Sequence, residues 1–161
     1  GGPSPHYLWD NEKIIIQIEQ LVTHGTICQD QWTLTTSPRT PKDFLVELEK
    51  KKITNIKVHR FEDTEQGWVE NRLLASENAW VTPDSVSMTY EALSAGCGTG
   101  VFQLLSSKSN SRVADSINLL LEEGYITTQL NFISGKPIVI KKFPTQAIFC
   151  APKIYLKTSL N

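Results

Sequence analysis

The chain has few cysteines and no excess of charge, and each shortage excludes a class of protein. Its three cysteines, Cys28, Cys97 and Cys150, lie far apart and form no C-x-x-C pair. Neither a disulfide framework nor a zinc knuckle is therefore indicated, and a reducing, cytoplasmic location is expected. Sixteen Lys and Arg residues balance 17 Asp and Glu residues. This balance provides no broad positive field for phosphates, so no nucleic-acid partner is expected.

Long apolar runs and several catalytic motifs are also missing. No apolar stretch approaches the roughly 18 residues that a membrane span requires, so a soluble protein is expected. The sequence contains no G-x-S-x-G, G-x-x-x-x-G-K-[ST] or H-E-x-x-H motif. The glycine-rich segment 96–100 precedes a predicted strand, whereas a dinucleotide-binding fingerprint must follow one. Hydrolases, P-loop proteins and Rossmann dehydrogenases are therefore disfavoured, and neither a metal nor a cofactor is expected.

Strand and helix patterns alternate along the first 124 residues. Helices are predicted over 11–24, from Pro41 onward, and over 71–76, 85–95 and 109–123; strands are predicted over 31–36, 53–61, 79–82 and 100–104. Asp10 would cap the first helix and Gly25 would end it. Because crossover helices join parallel strands, the pattern predicts an α/β domain with a doubly wound parallel sheet. Beyond Gly124, extended segments are predicted over 125–132 and 136–143, around a Ser134-Gly135 turn.

Five polar loops are expected to lie along one edge of this sheet. They are residues 1–7, 35–40, 59–62, 82–87 and 106–109. Ligands of open parallel sheets bind beyond the carboxyl ends of the strands. The strongest candidate is Asp84-Ser85-Val86-Ser87, because backbone N–H groups at a helix start bind phosphate. The Asp84 carboxylate would repel phosphate, and the alternative is that Asp84 and Ser85 only cap the helix.

Other polar residues in these loops each have a functional and a structural interpretation. Arg39 offers a planar cation for a diphosphate or carboxylate, or is a surface residue in a turn. Glu91, two turns into its helix, would accept hydrogen bonds from ribose hydroxyls, or lies on a solvated face. His6 and His59 are either catalytic or structural. The four tryptophans are mainly core candidates, with base stacking as the alternative.

Three stretches carry a family resemblance. They are Gly1-Gly2-Pro3-Ser4-Pro5-His6-Tyr7 with Trp9, residues 36–41 (TSPRTP), and residues 81–96, which contain D-S-V-S-M-x-x-E-A. In order and spacing they resemble the mitochondrial-fission ELM family, from Gly1 to about Gly124. That family in turn resembles the carboxyl-terminal half of GT-B glycosyltransferases. Pro38 stands where the family loop usually carries an arginine.

The resemblance implies the nucleotide-sugar-binding half of a metal-independent, GT-B-like glycosyltransferase with a Rossmann-like fold. It implies a phosphate-binding helix start at Ser85, Val86 and Ser87, a ribose-binding Glu91, and nucleotide contacts at Gly2, Ser37, Arg39 and Thr40. No catalytic residue is assigned. Residues 1–124 would form the nucleotide-sugar-binding domain and residues 125–161 its carboxyl-terminal extension.

The same resemblance implies a set of partners. They are a nucleoside diphosphate sugar, a missing amino-terminal domain of the same protein and, for the full-length protein, a peripheral contact with a membrane. The start at Gly1-Gly2, without an initiator Met, agrees with a fragment of a longer two-domain protein, which would be inactive in isolation. The alternative is a non-catalytic adaptor of the mitochondrial-fission type, which would use the same fold to recruit partners.

Overall fold

The computed structural model describes residues 1–26, 30–107 and 111–143. Within these residues the α-helices are α1 (Asn11–Thr26), α2 (Lys42–Lys50), α3 (Trp68–Leu74), α4 (Val86–Ala95), α5 (Arg112–Glu122) and α6 (Gln129–Ile133). The strands are β1 (Trp32–Thr35), β2 (Ile56–His59), β3 (Asn78–Val81), β4 (Gly98–Val101) and β5 (Ile126–Thr128), and Phe61–Asp63 form a single 3-10 turn. None of the described helices has the length and apolar character needed to cross a membrane.

The strands pair in parallel, as expected, but they form two sheets. β1 pairs with β2, and β3, β4 and β5 form a second sheet with β4 at its centre. Helix α2 lies between β1 and β2 in the chain, α4 between β3 and β4, and α5 between β4 and β5. The predicted α/β class with parallel, Rossmann-like units is therefore confirmed, with its strands divided between two small sheets.

Two apolar clusters form the core. The larger contains Ile14, Ile15, Ile18, Leu21 and Val22 of α1, Phe44, Leu45 and Leu48 of α2, and Phe102. Trp32 of the first sheet and Trp80 of the second both pack against it, so α1 and α2 connect the two sheets. The smaller cluster contains Leu93, Val101, Ile117, Leu120 and Ile126. The core residues of α1, α2 and α5 recur at spacings of three and four, which explains why these helices were predictable.

Several predicted boundaries are wrong. Helix α1 continues through Gly25 and ends at Thr26, although the predicted cap is present, since the Lys13 N–H donates to Asp10 Oδ1 at 3.0 Å. The segment 125–132 is extended only as far as Thr128, whose side chain accepts from the Asn131 N–H and so caps α6. Residues 136–143 form no strand. Short apolar segments carry too little periodicity to separate helix from strand, and a threonine cap decided this case.

Half of the residues of strand β4 are glycine. Gly98, Thr99, Gly100 and Val101 are all buried. A methyl group at Gly100 would overlap the six-membered ring of Trp80, and one at Gly98 would overlap the Asn78 side chain. Glycine thus permits side chains of the neighbouring strand to approach the central strand closely. The glycine-rich segment is therefore the beginning of the strand itself, which corrects the prediction that it precedes the strand.

Candidate functional site

The loops after β1, β3 and β4 contact the first loop at one edge of the fold, and the loop after β2 contacts the loop after β1. Thr35 of β1 lies in register with His59 of β2, and just beyond them the Phe61 N–H donates to Thr36 Oγ1 at 2.8 Å. The loop after β4 joins the first loop, because the Leu8 N–H donates to the Leu105 carbonyl at 2.9 Å. The loop after β3 reaches the same edge through the ion pair described next. The expected gathering of these loops at one edge is therefore observed for their described residues, whereas residues 108 and 109 of the fifth loop lie outside them.

A buried ion pair connects the loops after β1 and β3. Arg39 Nη2 lies 2.8 Å from Asp84 Oδ2; the Asp84 side chain is 0% exposed and that of Arg39 is 46% exposed. Oδ2 also accepts from the Gly2 N–H at 3.1 Å. Asp84 Oδ1 has no hydrogen-bond partner in the described part of the chain. Arg39 therefore neutralises the carboxylate that was expected to oppose phosphate binding.

The hydroxyl groups of Ser37 and Thr40 hold the first loop in place. Ser37 Oγ donates to the Gly1 carbonyl at 2.9 Å, and Thr40 Oγ1 donates to the same oxygen at 2.7 Å. The Ser37 N–H donates to Thr40 Oγ1 at 2.8 Å, which closes the turn. Both residues lie at the site named from the sequence, but their hydroxyl protons are used inside the protein.

Glycine at positions 1 and 2 lets the first loop pass close to its neighbours. A methyl group at Gly2 would overlap the Arg39 carbonyl, and one at Gly1 would overlap Thr82 Oγ1. Thr82 is buried, and its hydroxyl has no partner among the described residues. Gly2 was named as a site residue from the sequence, whereas Thr82 was included only as the first residue of the loop 82–87, because nothing in its spacing marks a contact to a loop 81 residues away.

Helix α4 begins beside the ion pair with unused backbone donors. Ser85 occupies the N-cap position, but its side chain makes no cap hydrogen bond and instead accepts from Arg39 Nη2 at 3.3 Å. The alternative in which the Asp84 and Ser85 side chains cap the helix is therefore wrong. In the described structure, the N–H groups of Val86, Ser87 and Met88 have no acceptor. Together with the helix dipole they form a set of donors suited to an anion.

Glu91 lies further along α4, at a cavity of about 280 Å³. Phe61, Glu65, Trp68 and Glu70 also line this cavity. Partial burial, followed by the nearby negative charge of Glu70, raises the pKa of the Glu91 carboxyl above its ordinary value. Glu91 therefore faces a concave acidic surface. It lies six residues after Ser85 along α4 and is not part of the Arg39 and Asp84 ion pair.

Replacing Glu70 by Gln is expected to lower the pKa of Glu91. The substitution removes the like charge but not the burial, so the pKa should fall only part of the way to the ordinary glutamate value. A carbon-detected NMR titration of the Glu91 carboxyl measures the change. Glu47→Gln on α2 is the control and should leave the Glu91 titration unchanged. An unchanged pKa in Glu70→Gln would contradict the charge coupling.

The two histidines in the loops make structural contacts. His6 Nδ1 lies 2.9 Å from Ser111 Oγ, and that oxygen also accepts from the Ala114 N–H at the start of α5. The His59 ring packs against Trp68, with 4.8 Å between the ring centroids. His6 thus links the first loop to α5, and His59 supports a wall of the cavity.

Parallel strands joined by helices, with polar loops gathered at the carboxyl edge and a helix start beside them, define a Rossmann-like α/β domain. Residues 1–142 match the protein family described as Mitochondrial fission ELM1, and the chain belongs to that family. Neither a curated protein nor a solved structure gives a significant match. The family resemblance read from the sequence is confirmed, whereas the likeness to GT-B glycosyltransferases rests on the sequence motifs alone.

Proposed function

We propose that this domain binds a nucleoside diphosphate, as the nucleotide-sugar half of a GT-B-like glycosyltransferase. The observation that carries the proposal is the set of unused N–H groups at the start of α4, next to a carboxylate that Arg39 already neutralises. A phosphate at this position meets backbone donors, the positive end of the helix dipole and a half-exposed guanidinium. In this proposal the site is metal-independent, with these groups in the place of a metal ion.

The residues identified from the sequence then divide into four roles. Val86 and Ser87 contribute N–H donors, and Arg39 contributes charge near the departing diphosphate. Gly2, Ser37, Thr40 and Ser85 shape the loops around that position rather than contacting the ligand with free hydroxyls. Glu91 lies roughly 9 Å along the helix axis from Ser85, at 1.5 Å per residue, and would take the ribose hydroxyls.

In this proposal the chain supplies only part of an enzyme. The acceptor would be held by an amino-terminal domain of the same protein across a cleft, and the residues described here would bind the nucleotide without turnover. The full-length protein would contact a membrane only peripherally.

A non-catalytic adaptor is the second candidate, and one observation favours it. Most polar groups expected to hold the nucleotide are already paired inside the protein, including the Gly2 N–H and the hydroxyls of Ser37 and Thr40. Leu8 and Leu105, joined by a backbone hydrogen bond at the same edge, are 56% and 62% exposed. Exposed apolar side chains of this kind suit contact with another protein.

A thermal-shift panel of nucleoside diphosphates and their sugars separates the two candidates. A ligand that binds only the folded state stabilises it by about 2.7 kcal/mol at a hundredfold excess over Kd. A saturable increase in melting temperature with diphosphates, and none with the matching nucleosides, supports the nucleotide site. The absence of any saturable increase would favour the adaptor.

Replacing Val86 by Pro is expected to weaken diphosphate binding about tenfold. Proline is tolerated at the first helical position, and it removes one N–H that has no acceptor in the described structure. A charge-assisted hydrogen bond contributes about 1.5 kcal/mol, which corresponds to this loss. Calorimetry with the best diphosphate of the panel measures it. Val86→Ala keeps the N–H and is the matched control; equal weakening in both variants would remove α4 from the site.

A further inference from the structure

We propose that the cavity beside Glu91 receives the base of the bound nucleotide and selects guanine through the carboxylates of Glu65 and Glu70. This inference rests on the proposed diphosphate site and extends it from the phosphates to the identity of the base.

The position of the cavity is the first argument. It lies between the turn after β2, helix α3 and helix α4, and Glu91 of α4 is part of its wall. A nucleotide with its phosphates at the first turn of α4 and its ribose at Glu91 therefore directs its base into this space. The volume of about 280 Å³ lies near the lower end of ligand pockets, which suits a base better than a whole nucleotide.

An exposed aromatic ring at the cavity is the second argument. Phe61 is 43% exposed, although its backbone N–H is held by Thr36 Oγ1 at 2.8 Å. An exposed ring on an anchored backbone suits stacking against a base. Trp68 is less available, because the His59 ring packs on it and the Arg72 guanidinium lies 5.3 Å from its ring centroid. Phe61 is therefore the stacking residue and Trp68 a wall.

The acidic lining is the third argument, because it distinguishes among bases. A carboxylate only accepts hydrogen bonds. Glu65 and Glu70 both line the cavity, and neither forms an ion pair in the described part of the chain. Guanine presents two adjacent donors, its N1–H and its 2-amino group, which match the two oxygens of one carboxylate. Uracil presents a single N3–H donor, and the carbonyl oxygens on either side of it are repelled by a carboxylate. Hypoxanthine, the base of IDP, lacks only the 2-amino group of guanine.

The charge balance of the cavity agrees with a donor-rich ligand. Partial burial, and after it the negative charge of Glu70, raises the pKa of the Glu91 carboxyl in the absence of a ligand. Hydrogen bonds from a base and from ribose hydroxyls would offset this rise.

The test is calorimetric titration of the chain with GDP, IDP and UDP. GDP is expected to bind about tenfold more tightly than IDP or UDP, the ratio that one lost charge-assisted hydrogen bond produces. In Glu65→Gln/Glu70→Gln, the preference for GDP over IDP should fall to about threefold or less. Glu49→Gln/Glu122→Gln removes the same charge at exposed positions away from the cavity and should keep the full preference. Circular dichroism establishes that both double variants fold.

The outcomes separate this inference from the proposed function. Equal binding of GDP, IDP and UDP, or an unchanged preference in Glu65→Gln/Glu70→Gln, would overturn guanine selection and leave the diphosphate site standing. Failure of all three diphosphates to bind would overturn the proposed function itself. Phe61→Leu adds a second check at an exposed position: it should weaken GDP severalfold without changing the affinity for inorganic pyrophosphate. An unchanged GDP affinity in that variant would contradict stacking on Phe61.

Discussion

The substitution Gly100→Ala is expected to lower the free energy of unfolding by about 3 kcal/mol, the upper end of the cost of overpacking a core. Gly100 lies in the central strand β4, and an added methyl group would overlap the ring of Trp80. Trp80 cannot retreat easily, because its ring also contacts Phe102 and Phe132. Chemical denaturation of the purified chain, followed by tryptophan fluorescence and circular dichroism, measures the loss.

A size-compensating substitution provides the control for this prediction. Trp80→Leu opens the space that the new methyl group needs, so Gly100→Ala should cost less in the Trp80→Leu background than in the wild type. A coupling of about 1 kcal/mol is expected for residues in contact. Gly96→Ala introduces strain at a φ of +87° with no atom nearby, and Trp80→Leu should not rescue it. Additive costs at positions 80 and 100 would contradict the proposed overlap.

The second large effect is expected at the ion pair between Arg39 and Asp84. Arg39→Met removes the cation and leaves a fully buried carboxylate with the Gly2 N–H as its remaining strong donor. Breaking a buried pair costs about 3 to 5 kcal/mol, and the half-exposed position of Arg39 places the expected loss at the lower end, about 3 kcal/mol. Urea denaturation at pH 7 measures the change.

The cost should depend on which partner is removed. Asp84→Asn leaves the half-exposed guanidinium in contact with water, so it should destabilise the domain by only about 1 kcal/mol. The double variant Arg39→Met/Asp84→Asn should be more stable than Arg39→Met alone, because no buried charge is left unpaired. A larger loss in the free energy of unfolding for Asp84→Asn than for Arg39→Met would contradict the view that the buried carboxylate depends on Arg39 for its stabilisation.

Regular periodicity made much of the fold predictable. Helix α5 (Arg112–Glu122) lies within the predicted range 109–123, and its apolar residues recur at Ile117 and Leu120; the Ser111 cap appears only in the structure. The strand β4 was placed too late in the sequence, because glycine has low strand propensity. Glycine is required here because only a residue without a side chain lets the Trp80 ring lie against Gly100. That contact belongs to the tertiary structure and leaves no local signal.

The candidate site was predictable in its location but not in its bonding. The rule that ligands bind at the carboxyl edge of parallel strands selected the loops of Ser37 and Ser85. It did not show that Arg39 would pair with Asp84, because the two residues are 45 positions apart and each has many exposed alternatives. The cavity around Phe61 was missed for the same reason: its walls come from three elements, and its concavity appears only when they pack.

The contacts that assemble this edge close unusually long segments of chain, and this has a consequence for their cooperativity. Arg39 and Asp84 are separated by 45 residues, whereas Gly2 and Asp84 are separated by 82. Closing the longer loop alone costs only about 0.5 kcal/mol more conformational entropy, because the cost grows with the logarithm of length. Once Ser37 holds Gly1 and Arg39 has reached Asp84, however, Gly2 already lies beside that carboxylate, and its contact closes no further long loop. The separate hydrogen bonds therefore share one entropic cost, and the loss of any one of them weakens the others.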